Sequence, residues 1–323
     1  MNLTTRYLGL ELRNPFIVGA SPFCDDVLMA HRLEEAGASA LVMRSLFQEQ
    51  ITSGGSPGEN YPRDQNAYYA EYADYQSSPD HYLRQIEHLK LRVTIPIIAS
   101  LNGHELGDWV AFAPRLAEAG ADAIELNYYQ VVTNPALPAD HVETEMLAMM
   151  GAISGAVNIP VAAKISPFHT SVAQVAVALE LAGAAGIVVF NRFYQPDVNT
   201  DELEVQPTLR LSKPSELLLR LRWLAILAPL LRGSLSAAGG VHTAAGAAKA
   251  LLTGAHTVQV VSVLLKHGPQ ALSALQEGLE SWMSGHGYTD VADFRGRLNH
   301  ARCENPAAYE RANYIRTLHS WHR

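Results

Sequence analysis

An apolar run ending Ala123-Ile124-Glu125-Leu126-Asn127 is followed by a second that ends Val161-Ala162-Ala163-Lys164, so an amide and an amine close two successive runs. If these runs are neighbouring parallel strands, Asn127 and Lys164 project from the same end of one sheet. An amide and a cation so placed can hold an electron-rich ring. The residues that come next, Tyr128-Tyr129-Gln130, offer no evident acid, base or nucleophile. Further on, Ser236-Ala237-Ala238-Gly239-Gly240-Val241-His242-Thr243 runs from an apolar stretch into a helical pattern, and Gln259-Val260-Val261-Ser262 closes the next stretch. Paired glycines let backbone N–H groups approach an anion closely, and the helix that follows adds its positive end. A plain turn accounts for Gly-Gly equally well, so its weight depends on where the elements place it.

Those elements alternate from one end of the chain to the other. Strand candidates are 16–20, 40–44, 95–101, 123–127, 161–165, 186–191, 234–238 and 257–261. Helical patterns lie between them, near 26–36, 79–91, 105–119, 140–157, 171–183, 214–231, 243–252 and 268–284. Eight strand–helix units predict a closed (β/α)8 TIM barrel, an α/β fold occupying residues 1–323 as one domain. Ala-Gly-Ala at 36–38, 119–121 and 182–184, and Thr-Gly-Ala at 253–255, read as helix ends leading into strands. Residues 2–15 predict a small N-terminal hairpin under the barrel. Two long connections, 45–78 after strand two and 192–213 after strand six, leave the C-terminal strand ends, where barrel enzymes carry their sites. In this frame Gly239-Gly240 follows strand seven and Ser262 follows strand eight, the corner where barrels often bind a phosphate group.

Composition narrows the class. The net charge is −8, from 24 basic and 32 acidic residues, which argues against nucleic-acid binding through a basic patch. Cys24 and Cys303 are the two cysteines and have neither metal-ligand nor redox spacing. The N-terminal residues lack the apolar run of a signal peptide, and no stretch reaches the ~18–20 apolar residues of a membrane span. The expectation is a soluble, cytoplasmic protein with a sizeable core, no metal and no membrane partner.

Taken together these segments resemble the dihydroorotate dehydrogenases, particularly the soluble class 1 enzymes, which are FMN-binding TIM barrels of pyrimidine biosynthesis. The resemblance runs over most of the chain. It rests on Asn14-Pro15-Phe16 through Ala20-Ser21, Glu125-Leu126-Asn127, Ala163-Lys164-Ile165-Ser166-Pro167, Ser212-Lys213-Pro214, Ala238-Gly239-Gly240-Val241 and Phe294-Arg295-Gly296-Arg297-Leu298. It implies that Ala20 and Ser21 lie against the flavin and that Lys164 contacts its N1–O2 side, where a cation stabilises the charge of a reduced ring. Asn127 and Asn191 would hydrogen-bond flavin or substrate, Ser100 and Asn102 would line the same rim, and Gly239, Gly240, Val261 and Ser262 would surround the FMN phosphate. The implied reaction is oxidation of a CH–CH bond, with C–H deprotonation coupled to hydride transfer to flavin N5. The partners implied are a small substrate, dihydroorotate or similar, and a second copy or an electron-transfer subunit.

The departures bear on the substrate. Class 1 members carry a cysteine base three positions after the Asn of Glu-Leu-Asn, and the membrane-associated class uses serine. Here the position is Gln130, an amide without useful proton affinity near neutral pH. Neither Cys24 nor Cys303 replaces it. The family's second-strand lysine corresponds to Arg44, which keeps the charge but changes the hydrogen-bond geometry. The loop after strand two departs from the family pattern, with Asn66 as the asparagine in its later half, and Asn134 stands in for another substrate asparagine. With Gln130 and Tyr129 beside Lys164 and Asn127, proton transfer would fall to Tyr128, Tyr129 or His169, or the substrate would differ. Two other classes fit the residues alone: a non-redox phosphate-binding barrel, lyase or isomerase, with Lys164 forming a Schiff base, and a non-catalytic FMN electron relay.

Overall fold

The computed structural model describes residues 1–52, 78–192, 195–206, 208–311 and 313–319. Eight parallel strands form the barrel: β3 (Phe16–Val18), β4 (Ala40–Val42), β6 (Ile97–Gly103), β7 (Ala123–Tyr128), β8 (Val161–Ile165), β9 (Gly186–Val189), β12 (Ser234–Ala238) and β13 (Thr257–Val260). Each pairs with the next, β13 pairs with β3, and β4 pairs with β6, so the sheet closes on itself. This is the expected TIM barrel. The two-residue strand β5 (Leu46–Phe47) continues the second barrel strand after a break and pairs with the upper part of β6.

The strands alternate between two cores because successive side chains point to opposite faces. Phe16, Val18, Leu41, Ile97, Ala99 and Ile124 face the surrounding helices. Ile17, Val42, Ile98, Ala123, Ala162 and Val188 face the barrel axis. The N-terminal hairpin plugs the lower end. Its strands β1 (Thr5–Tyr7) and β2 (Leu10–Leu12) send Tyr7 and Leu12, and its turn sends Leu8, into the inner core, each side chain worth roughly 1.5–3 kcal/mol on burial. Leu8 takes φ 52° in the turn, and its N–H donates to Ser234 Oγ at 2.9 Å, which ties the turn to the barrel.

The sequence patterns place the eight barrel strands to within a few residues. Gly37, Gly120, Gly183 and Gly254 all have positive φ at the junctions where helix ends were expected. The connection 192–213 contains an antiparallel hairpin, β10 (Asp197–Asn199) and β11 (Glu204–Gln206), which its composition did not announce. The last helical pattern is the helix Ala271–Gly285, and a short helix not expected from the sequence, Ser262–His267, precedes it, separated from it by Gly268 and Pro269. Most of the long loop after strand two, with Asn66, lies outside the described residues. Among those described, no helix is long and apolar enough to cross a membrane.

Candidate active site

Register brings the first chemical residues together. Asn102 on β6, Asn127 on β7 and Lys164 on β8 are direct neighbours in the parallel ladder. Two residues earlier, and therefore on the same face, lie Ser100, Glu125 and Ala162. The axial face is thus apolar low in the barrel and polar toward the C-terminal mouth.

Lys164 and Glu125 are 8% and 1% exposed. Lys164 Nζ lies 3.0 Å from Glu125 Oε1 and donates at 3.0 Å to Gln259 Oε1, on the far side of the barrel. Gln259 Nε2 donates to Glu125 Oε2 at 2.5 Å, closing a three-membered ring of contacts. A carboxylate and an ammonium at this depth persist only when paired and hydrogen-bonded. An ammonium has three N–H groups, and this ring uses two. Glu125 and Gln259 were missed as members of the site. The available signal was Glu125 itself, a charged residue inside an otherwise apolar strand and on the same face as Asn127.

The mouth holds polar atoms without partners among the described residues. Asn127 Oδ1 and Ser21 Oγ are buried and unpaired among the described residues, an arrangement that costs about 1–3 kcal/mol per atom unless something else bonds them. Asn191 Nδ2 donates to Tyr128 O and Lys164 O, both at 3.3 Å, so this side chain bridges two neighbouring strand ends. Ser100 is held from below: its N–H donates to the Tyr82 hydroxyl at 2.9 Å, and its Oγ is 2.8 Å from Ser45 Oγ. Ala20 and Ser21 follow β3 at the same end.

The glycine corner is built for close approach. Gly239 and Gly240 have φ of 85° and 83°, and a Cβ on Gly240 would lie 2.5 Å from Leu217 N. Ser212 organises the surroundings. Its N–H donates to Ser262 Oγ at 3.0 Å, its Oγ accepts from Gly240 N–H at 3.4 Å, and its Oγ is 3.1 Å from His242 Nε2. Lys266 Nζ donates to Ser212 O at 3.5 Å, a cation at this corner that sequence reasoning passed over. Val261 caps the short helix Ser262–His267. These groups fit a phosphate ester, and together with the Lys164 cation and the orphan oxygens of Asn127 and Ser21 they fit a flat polar ring carrying a phosphate tail.

Other expected residues sit differently. Arg44 falls in the break between β4 and β5 and lies 3.4 Å from Asp25 in an ion pair. Asn134 is exposed, and its Oδ1 accepts from Ala136 N–H at 3.0 Å within its own surface turn. Gln130 Oε1 accepts from the Tyr128 hydroxyl at 2.9 Å. Burial and the nearby Glu145 push the Tyr128 hydroxyl up to about 12, the wrong direction for a base. Tyr129, half-buried, begins the segment that leaves the mouth. Cys24 is buried, and burial followed by Asp25 raises its thiol to about 12, so it does not replace the missing cysteine. His169 differs from all of these. Its Nε2 is buried without a partner among the described residues, and desolvation lowers its pKa against an opposing pull from Glu143.

A closed (β/α)8 barrel with its polar side chains and glycine corner gathered at the C-terminal mouth defines the class as a TIM barrel, with the candidate site at that end. The family model described as Dihydroorotate dehydrogenase matches residues 2–283, and the chain belongs to this family. The NAD-dependent dihydropyrimidine dehydrogenase subunit PreA of Escherichia coli K12 is 24% identical over 323 residues, covering 92% of this chain and 77% of the relative. A putative dihydroorotate dehydrogenase A (fumarate) of Aeropyrum pernix is 25% identical, covering 93% and 98%. The catalytic subunit of dihydroorotate dehydrogenase B (NAD(+)) of Methanothermobacter thermautotrophicus is 25% identical, covering 91% and 97%. These relatives are oxidoreductases, and this chain falls within that general class.

Proposed function

We propose that this chain is an FMN-dependent oxidoreductase acting on a CH–CH bond of a dihydroorotate- or dihydropyrimidine-like ring. The observation that carries this reading is the buried Lys164 cation, held by Glu125 and Gln259 in register with the unpaired Asn127 oxygen. When bound, FMN supplies the two-electron acceptor for such a reaction. The protein supplies the rest. Lys164 holds positive charge against the electron-rich edge of the ring, and the low-dielectric barrel keeps that charge effective. Gly239, Gly240 and Ser262 present backbone and hydroxyl groups to the phosphate, with Ser212 and Lys266 supporting them. Ala20 and Ser21 back the ring, and Ser100 and Asn102 complete the rim. Asn127 and Asn191 orient the substrate, with Arg44, Tyr129, Gln130 and Asn134 belonging to the segments around the mouth. The protein works either as a homodimer or with an electron-transfer subunit. Purified protein is expected to be yellow, and anaerobic dihydroorotate or dihydrouracil is expected to bleach it. A colourless protein that stays colourless on adding FMN would sink the reading.

Proton removal falls to a residue other than Gln130. We assign it to His169, on the loop after β8, whose imidazole is held below its ordinary pKa by desolvation and whose Nε2 has no partner among the described residues. The rate of anaerobic reduction should rise with pH through an apparent pKa below 6.5, because deprotonation of the imidazole creates the base. His169→Asn should slow that rate by roughly 100-fold or more and remove the acid limb, while leaving the flavin spectrum intact. An unchanged profile in the variant would exclude His169.

A further inference from the structure

The opposite end of the barrel carries a cavity of about 1090 Å³, between the N-terminal hairpin and the lower ends of β9 and β12. In a chain with net charge −8, its lining includes four arginines, Arg6, Arg13, Arg232 and Arg295, against two carboxylates. One carboxylate is already committed. Asp290 accepts from Asn2 Nδ2 at 2.5 Å and from Ala292 N–H at 2.7 Å. The other, Glu11, stands opposite Arg6 in the hairpin ladder. Arg13 is spent on the carbonyls of Ala38 and Glu34. Arg232 and Arg295 have no carboxylate partner among the described residues, and the Arg232 guanidinium has no hydrogen-bond partner among them either.

A second observation points to what is missing. His256 Nδ1 accepts from the Leu235 backbone N–H at 3.0 Å, so the proton of the neutral ring resides on Nε2. Burial and the charge of Arg295 keep this ring neutral, with its pKa down at about 4. Nε2 then faces Arg295 Nη1, another donor, at 2.8 Å. Two N–H donors converge with no acceptor between them among the described residues. The Leu235 N–H belongs to β12 and cannot turn away, so turning Nε2 into an acceptor for Arg295 would set Nδ1–H against it, whereas an acceptor entering the cavity would serve both donors. An oxyanion accepts from both at once, and guanidinium groups match such oxygens in a bidentate fork.

We propose that this lower cavity is a second ligand site, remote from the barrel mouth, which takes a small multiply charged oxyanion between Arg232, Arg295 and His256. Phosphate esters and polycarboxylates share the required chemistry, and the volume admits either. The site does not depend on the reading of the mouth.

Calorimetric titration of the protein as purified, at constant ionic strength, with pyrophosphate and separately with citrate, tests it. Saturable binding of at least one anion is expected, with pyrophosphate alone identifying the phosphate class and citrate alone the carboxylate class. Arg295→Gln and Arg232→Gln should each weaken that binding by about tenfold or more. Arg232 is exposed, so its variant reports even if Arg295→Gln fails to fold. No saturable heat with either anion, or binding unchanged in the folded variants, would overturn the proposal. The latter result would place the anion elsewhere, including at Gly239-Gly240.

Discussion

Lys164→Met is expected to lower the unfolding free energy by about 3–5 kcal/mol, the cost of leaving a buried carboxylate without its cation. Glu125 is 1% exposed, and after the change its remaining side-chain donor among those described is Gln259 Nε2. The loss should therefore belong to the stranded charge rather than to the missing ammonium. Lys164→Met combined with Glu125→Gln separates the two, because the double variant buries no uncompensated charge and should recover most of the stability. Urea unfolding of both variants makes the comparison, and flavin content after purification reads the site. The single variant should purify with little FMN, and the double variant should fold well yet still bind FMN poorly, since the cation is absent from both. A single variant within about 1 kcal/mol of the parent would mean that the pair is far better solvated than its burial indicates.

Gly240→Ala is expected to be the second most damaging change. At φ 83° an L side chain costs roughly 1–2 kcal/mol, and the new Cβ would lie 2.5 Å from Leu217 N and 2.8 Å from Leu217 Cα. Those are backbone atoms at the start of the helix Leu217–Leu227, so the helix must shift, at a further cost of about 1–3 kcal/mol. Gly239→Ala is the control. Its φ of 85° carries the same strain, but the nearest atom is Arg220 Nη2 at 3.2 Å, the end of a long side chain. Thermal unfolding should rank the parent above Gly239→Ala and both above Gly240→Ala, while FMN affinity should fall in both variants. Equal stabilities for the two variants would show that the approach to Leu217 is not tight.

Much of the mouth was legible before folding was considered. The run Ala123–Asn127 and the run Val161–Lys164 each specify a strand by local pattern, and the spacing of 37 positions between their ends leaves room for one crossover helix. Their adjacency, and with it the placement of Asn127 beside Lys164, follows from the βαβ rule. Gly239-Gly240 likewise gained meaning by counting units along the chain. What local pattern did not reveal was the partner set of Lys164. Gln259 is 95 residues from Lys164 and 134 from Glu125, and it meets them because the eighth strand returns to pair with the first.

The same limit explains the residues whose surroundings were misjudged. Tyr128 looked like a proton carrier by type, but burial and Glu145 hold its proton on. Asn134 looked like a substrate contact by position, but a surface turn uses its side chain. The facing donors of His256 and Arg295 depend on two residues 39 apart, one at the foot of a barrel strand and one on the tail that packs beneath it.

By itself, then, the sequence determined the number of strand–helix units, the end of the sheet where the polar side chains gather, and the absence of a cysteine or serine at position 130. Those properties are local: they come from hydrophobic period, glycine placement and residue identity. Tertiary structure alone decided which charges neutralise one another across the barrel, which polar atoms are left without partners, and that a cationic cavity lies beneath the hairpin. Those depend on closure of the sheet, which removes side chains from water and sets distant residues within 3 Å, where desolvation and pairing, not residue type, decide what each group can do.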